Sequence, residues 1–532
     1  MSLQFITGNS GNGKTKYLFN RIVKEAKANP RDNYLVIVPE QFTMQTQRQL
    51  VDLSENKAIM NIDVLSFKRL AYRVFDELGI TNLTVLEETG KNLVLRKLAA
   101  QEADKLGVIG RNLNRIGYIS EVKSLLSELV QYNISPEELG RYIASGRLSD
   151  TLSDKLKDVL VLYEAFEKFM QDKYITAEEI LNVLSNVAEE SAILRNSVIA
   201  FDEFTGFTPI QNQLIKKLFV ISKKIYVTLT IDCREDIFKS RGMQELFDMP
   251  KRTVKSLTEM AAFYGIEVEE PIILDKNYRL AENEELSFME QQLFRKRRCS
   301  FKKAPKHIHI DCLRDPKQEL TKIARRINEL VRNENLRYRD IAIVTGDVNI
   351  YAGYVREIFD KYNIPYFIDA TQEILFHPFI EFIRSIPDIA AQNFSADAVF
   401  RFLRCGFSEL LDSEIDVLEN YVLACGVRGK SAWDKKWVRL PKHKAGYDLE
   451  LLNQSREYIM ELLKPVYQVF SDKKSTVKDY VLAIYKLIVL LDIPDKLAKK
   501  EQALLDAGDQ TASKEYGQIY KIVMQLFEKY VA

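Results

Sequence analysis

Short, unbroken apolar runs alternate with helical stripes over the first part of this chain. Leu3-Gln-Phe-Ile-Thr7, Asn33-Tyr-Leu-Val-Ile-Val38-Pro39, Ser197-Val-Ile-Ala-Phe201 and Lys224-Ile-Tyr-Val-Thr-Leu229 are brief and almost wholly apolar. Runs of this kind suit strands covered on both faces of a parallel sheet. Ile62-Asp-Val-Leu65 reads as another strand entering a helix. Between the first two runs, Leu18, Ile22 and Ala26 recur at helical spacing, and strand, loop, helix, strand is how an α/β domain begins. From about Glu87 to Glu190 glycine is sparse and the period becomes helical throughout. Leu156, Leu160, Tyr163, Phe166 and Met170 form one stripe; Leu125, Leu126, Leu129 and Val130 form another. Ser135-Pro136-Glu137-Glu138 has the order of a helix start, with a capping Ser, Pro at the first position and acids in the first turn. Strand-like runs return at Ile308–Cys312, Asp340–Thr345 and Ile364–Asp369, and from His377 the pattern is helical to a last stripe through Ile519, Val523 and Phe527.

The chain has 532 residues, enough for several domains, with 46% hydrophobic and 28% charged residues and a net charge of +1. No global basic field marks it for nucleic acid, although a local basic channel fits on a neutral whole. The five cysteines are far apart and form no C-x-x-C pair, which argues against zinc or iron–sulfur ligation. No apolar run approaches a membrane span and the N-terminus lacks a signal-peptide layout, so the expectation is a cytoplasmic protein without a membrane partner.

The chemistry concentrates where the first strand ends. Gly8-Asn9-Ser10-Gly11-Asn12-Gly13-Lys14-Thr15 fits G-x-x-x-x-G-K-[ST], the phosphate-binding loop of nucleoside triphosphatases. Gly8, Gly11 and Gly13 let successive backbone N–H groups turn inward toward phosphate oxygens, Lys14 places a charge near the β- and γ-phosphates, and Thr15 offers a hydroxyl to Mg²⁺. The helix that follows points its positive end at the same anion. The strand ending at Phe201 runs into Asp202-Glu203, where an Asp can hold Mg²⁺ and a Glu can take a proton from attacking water. Arg279, in Asn277-Tyr278-Arg279, can stabilise charge on a transferring phosphoryl group or can be a surface Arg in a salt bridge. Phe67, with Leu70 and Val74 at helical spacing, has a plain packing reading. The cluster Arg295-Lys-Arg-Arg298 with Lys302, Lys303 and Lys306 is either a nucleic-acid contact or a solvated linker.

Taken together, these segments resemble superfamily 1 helicases. Gly8 to Thr15 is similar to motif I, Ser66-Phe67 to motif Ib, Asp202-Glu203 with the downstream Pro209-x-Gln211 to motif II, and Leu274 to Arg279 to motif IV. The closer resemblance is to the AddB (RexB) subunits of bacterial AddAB helicase–nucleases. It rests on Val38-Pro39-Glu40-Gln41-Phe42-Thr43, Val64 to Leu70, Phe204-Thr-Gly-Phe207-Thr-Pro209, Tyr338 to Ile343, Ile364 to Asp369 and Leu418 to Val422. The fold this implies is α/β: two P-loop, RecA-like parallel-sheet lobes with large helical insertions. The first, ATP-binding lobe would comprise residues 1–86 and 191–276, with 87–190 a helical insertion. Residues 277–376 would be part of the second lobe and 377–532 its helical insertion, ending before a nuclease domain. The resemblance further implies ATP and Mg²⁺ as cofactors. It implies DNA contacts at Ser66 and Phe67, an AddA-type motor as heterodimeric partner, and single-stranded DNA from processed double-strand breaks, scanned for a Chi sequence during recombination. An iron–sulfur cluster is expected only in the part beyond this chain.

The sequence departs from a complete motor. Only Met1 and Ser2 precede the first strand, where a motor carries an adenine-reading glutamine segment. Thr230-Ile-Asp232-Cys-Arg-Glu-Asp236 lacks the motif III glutamine, and motifs V and VI would lie beyond the end. Binding of nucleotide is therefore expected, and hydrolysis has a candidate base in Glu203, while translocation by this chain alone is not expected. An autonomous superfamily 1 helicase, a P-loop kinase of a small molecule and a scaffold with an empty loop are the other readings.

Overall fold

The first apolar run forms β1 (Ser2–Gly8), which lies inside a seven-stranded, wholly parallel sheet. The structure is a computed structural model and describes residues 1–532 except 81–84, 109, 111–116, 147, 171–173, 296–298, 370–372, 442–445 and 532. It divides into two units, Met1–Asp311 and Cys312–Ala532.

In the first unit, β1 leads through α1 (Lys14–Ala28) to β2 (Tyr34–Ile37), then through α2 (Thr43–Leu53) to β3 (Ile62–Leu65) and α3 (Phe67–Leu78). A helical excursion follows, entered at β4 (Val85–Leu86) and left at β5 (Ile175–Thr176), which pair in parallel as a separate two-stranded clasp. Within it, α4 (Glu88–Gln101), α5 (Tyr118–Gln131), α6 (Pro136–Ala144) and α7 (Asp150–Met170) enclose their own core. Leu126, Leu129, Tyr163, Phe166 and Met170 of the expected stripes are buried there. Ser135 caps α6 through Glu138 N, with Pro136 at the first position, as its sequence indicates.

The chain then returns through α8 (Ile180–Val187) to β6 (Val198–Phe201), α9 (Pro209–Ile221), β7 (Lys224–Thr230), α10 (Asp248–Phe263), β8 (Glu267–Val268), β9 (Ile272–Leu274) and α11 (Glu284–Gln292). The strand order is β3-β2-β6-β7-β1, with β8 and β9 both beside β1. The sheet is buried on both sides, which accounts for the unbroken apolar runs. Ile6, Val36, Ala200 and Tyr226 face α1 and α2; Phe5, Ile37, Phe201 and Val227 join α3, α8, α9 and α10 in the opposite core. The Pro-x-Gln after the acidic pair proves to be helix-start chemistry. Thr208 accepts from Gln211 N, and the Gln211 side chain accepts from Thr208 N, closing a capping box with Pro209 between them.

In the second unit, α12 (Pro316–Asn333) and α13 (Val348–Lys361) pack around Leu320, Ala324, Ile327, Ile358 and Phe359. Among the described residues this unit has no strand. Asp340–Thr345 and Ile364–Asp369, like Ile308–Cys312 across the boundary of the two units, make no ladder hydrogen bonds. Ile310, Val344 and Phe367 are largely exposed. An apolar run becomes a strand only when a neighbour supplies ladder partners, so the α/β character is carried by the first unit. The helices between Pro378 and Val531 enclose a separate core around Trp433, Phe379, Phe382 and Phe402. Among the described residues no helix is long and apolar enough to cross a membrane.

Replacing Thr208 by Ala removes the cap of α9 and should cost about 1 kcal/mol of stability, read as a shift in the denaturant midpoint with unchanged slope. A stability equal to wild type would show that the capping box does not anchor this helix.

Candidate nucleotide-binding site

All strands of the sheet run the same way, so their carboxyl ends share one edge, where open α/β sheets place ligands. In the register, Gly8 stands opposite both Thr230 and Leu274, and Phe201 opposite Val227. The glycine-rich loop, the acidic pair, the end of β7 and the segment after β9 therefore meet. They line a cleft of about 730 Å³ whose walls include Lys14, Thr15, Asp202, Glu203, Tyr278 and Arg279.

Close approach fixes the glycines of the loop. A Cβ on Gly8 would come within 2.6 Å of the Leu274 carbonyl oxygen. Gly11, at φ +89°, would put one 2.7 Å from Asn277 Oδ1. Lys14 lies folded on the loop, its Nζ donating to Gly8 O at 3.1 Å and Asn9 O at 3.0 Å. Burial pushes its pKa down, against the opposing pull of the Glu203 and Asp202 charges. The Thr15 hydroxyl lies 3.3 Å from both Asp202 Oδ1 and Glu203 Oε1, so it can donate to either.

Asp202 is 1% exposed. Desolvation raises its pKa, while hydrogen bonds from Thr228 and Thr15 work to keep it ionised. Its Oδ1 accepts from the Thr228 hydroxyl; its Oδ2 is buried and finds no partner among the described residues. A buried, half-satisfied carboxylate beside a hydroxyl is the donor set a divalent cation needs, so the residues fit Mg²⁺. Glu203 takes a left-handed backbone, φ +65°, uncommon for a residue with a side chain and frequent where function dictates conformation.

The segment after β9 lies on the loop. Asn277 Nδ2 donates to Ser10 O at 2.9 Å, Tyr278 N to Gly11 O at 3.0 Å, and Arg279 Nη1 to Ser10 Oγ at 3.4 Å. Arg279 is exposed, lines the cleft and forms no ion pair with a carboxylate among the described residues.

Every loop residue singled out in the sequence is present here, but not all by side chain. Asn9 Oδ1 accepts from Cys233 N and its Nδ2 donates to Glu290 Oε1 at 2.7 Å; Asn12 Nδ2 donates to Leu274 O. These amides brace the loop against β9, α11 and the residues after β7. Ser66 caps α3 through Arg69 N and donates to Glu40. Phe67 is 7% exposed, its ring packed with Phe201, Phe204 and Phe207, which is the packing reading rather than a ring offered to a base. Of the basic cluster, residues 296–298 lie outside the described residues. Arg295 does not face solvent: it pairs with Asp232 and lies over the Phe247 ring.

The motifs did not reveal Thr228, nor the Asp232 network. Asp232 is 1% exposed and accepts from Arg234 and Arg295. Burial opposes its charge, but these hydrogen bonds and positive charges prevail and hold the carboxyl at about 2, below the ordinary 3.8.

A glycine-rich loop facing an acidic pair, Asp202 buried and Glu203 exposed, across the edge of a parallel sheet is the layout of a P-loop lobe. Residues 5–290 match the family described as "ADDB, N-terminal", and the chain belongs to that family. It is 38% identical over 541 residues to the B-type subunit of the ATP-dependent helicase/deoxyribonuclease of Lachnoclostridium phytofermentans, covering all of this chain and 47% of the relative. Proteins of the same name from Clostridium acetobutylicum and Clostridium novyi are 32% and 31% identical, again over the whole chain and 47% and 46% of their own length. The chain thus spans about half the length of the curated relatives it matches.

Asp232→Ala strips two arginines of a buried partner and should destabilise the first unit by about 3 kcal/mol at pH 7. Because the folded pKa is depressed, the carboxylate's contribution is present above pH 4 and fades as pH falls toward 2. Melting curves of both proteins should converge across that window; a constant gap would refute the assignment.

Proposed function

We propose that this chain is the ATP- and DNA-binding, helicase-like part of a helicase–nuclease subunit that processes double-strand DNA breaks for homologous recombination. The observation that carries the reading is the convergence of Lys14, Thr15, Asp202, Glu203 and Arg279 on one cleft. Lys14 leaves the Gly8 and Asn9 carbonyls to meet the β- and γ-phosphates. Thr15 and Asp202 would hold Mg²⁺, which when bound neutralises phosphate charge. Glu203 accepts the proton of the attacking water, and Arg279 stabilises charge on the γ-phosphoryl group. The position where a motor carries a γ-phosphate-sensing glutamine offers none; Glu235 is instead 2.8 Å from the buried Lys251. This supports a nucleotide-binding subunit that works beside a separate motor, an AddA-type partner, over an autonomous helicase.

In this reading residues 277–376, which run from the first unit into α12 and α13 of the second, contribute to a second RecA-like lobe, with 377–532 as its helical insertion. Single-stranded DNA runs over the carboxyl edge near Ser66 and Phe67, and the complex works in the cytoplasm.

Lys14→Ala should weaken ATP binding at least about tenfold by calorimetry. Glu203→Gln should leave binding within about twofold and slow any turnover about a hundredfold or more. Equal ATP affinity in wild type and Lys14→Ala would remove the site. For the DNA reading, affinity for a fluorescent single strand should fall linearly on a log–log plot against salt, by about 0.7 per phosphate neutralised. A flat response would rule out a backbone-tracking groove.

A further inference from the structure

We propose that Thr228 is a positioning residue for the acidic pair: its hydroxyl fixes the Asp202 carboxylate so that Oδ2 stays uncommitted for a divalent cation. The inference rests on the reading of the cleft as a Mg²⁺–nucleotide site and extends it to a residue outside the loop and the acidic pair.

Three observations carry it. First, β7 is an interior strand whose other side chains are apolar or aromatic where they meet the two cores: Tyr226 packs on one face, Val227 and Leu229 on the other. Thr228 shares the Tyr226 face, is 3% exposed, and would be a costly hydroxyl there without a partner. Second, that partner is Asp202. Pairing of Phe201 with Val227 carries the next residues of the two strands alongside one another, and the Thr228 hydroxyl donates to Asp202 Oδ1. Third, the competing donor is the wrong one to rely on. Thr15 is 3.3 Å from Asp202 and equally far from Glu203, and its oxygen is itself a metal ligand in the proposed function. Once Thr15 turns to the cation, Thr228 is the side-chain hydrogen bond that still orients Asp202, beside the backbone N–H of Glu203.

Groups that orient a metal-binding side chain through one hydrogen bond typically change metal affinity about 10- to 100-fold when removed. A hydroxyl that merely satisfies itself gives a different result, since Val has the same shape and suits a buried strand.

The test is a Mg²⁺ titration of a fluorescent ATP analogue bound to the full 532-residue chain, with melting curves to verify folding. Thr228→Val should need at least about tenfold more Mg²⁺ for half-maximal binding, while binding in EDTA matches wild type. Thr228→Ser, which keeps the hydroxyl, should restore the wild-type midpoint. Thr228→Ala serves the same purpose as Val should the latter not fold. A wild-type Mg²⁺ midpoint in the Val or Ala variant, a loss of equal size in EDTA, or failure of Ser to rescue would overturn the role of Thr228 while leaving the nucleotide site intact. No nucleotide binding by the wild type at any Mg²⁺ concentration would overturn the functional reading and this inference together.

Discussion

One constraint governs the site: β1, β6, β7 and β9 run parallel, and their register is held by cores on both faces of the sheet. Because the strands end at a common edge, residues far apart in sequence become neighbours without any long-reaching side chain. Slipping β6 by one residue against β7 would invert its faces, exchanging the side chains that fill the two cores and turning Asp202 away from Thr228. The apolar runs that stabilise the sheet are therefore the same information that assembles the cleft.

The electrostatics of that cleft balance desolvation against partners. Lys14 and Asp202 are both buried enough to disfavour charge; the Glu203 and Asp202 charges oppose this at Lys14, and hydrogen bonds from Thr228 and Thr15 oppose it at Asp202. Asp232 with Arg234 and Arg295 forms a second charge cluster, in which one buried carboxylate meets two guanidiniums. It braces the end of β7, whereas the first is left incomplete.

Much of this was legible in the chain itself. The Gly8 to Thr15 loop is local, and its function lies in backbone shape. The strands of the first unit are readable because burial on two faces leaves no polar alternation. Asp202-Glu203 is readable because it follows an apolar run directly. What escaped depends on pairing between distant segments: Thr228 acquires meaning only beside β6, and Asn9 only beside Cys233 and Glu290. Phe67 and Gln211 show the converse, where residues within a motif-like stretch serve packing and capping. The runs at 340–345 and 364–369 carry the composition of strands, but ladder bonding is a property of neighbours and composition does not encode it.

The clasp of β4 on β5 joins the two ends of the helical excursion outside the main sheet. Those helices keep a core of their own, so the sheet meets them only as a closed loop of fixed span. Closing such a loop grows more costly only logarithmically, about 0.6 kcal/mol for each doubling of length. Across a lineage this segment is thus free to lengthen, shrink or acquire new surface, while the edge that assembles the cleft keeps its spacing. The excursion is the part of the first unit in which evolution can vary shape at least cost to chemistry.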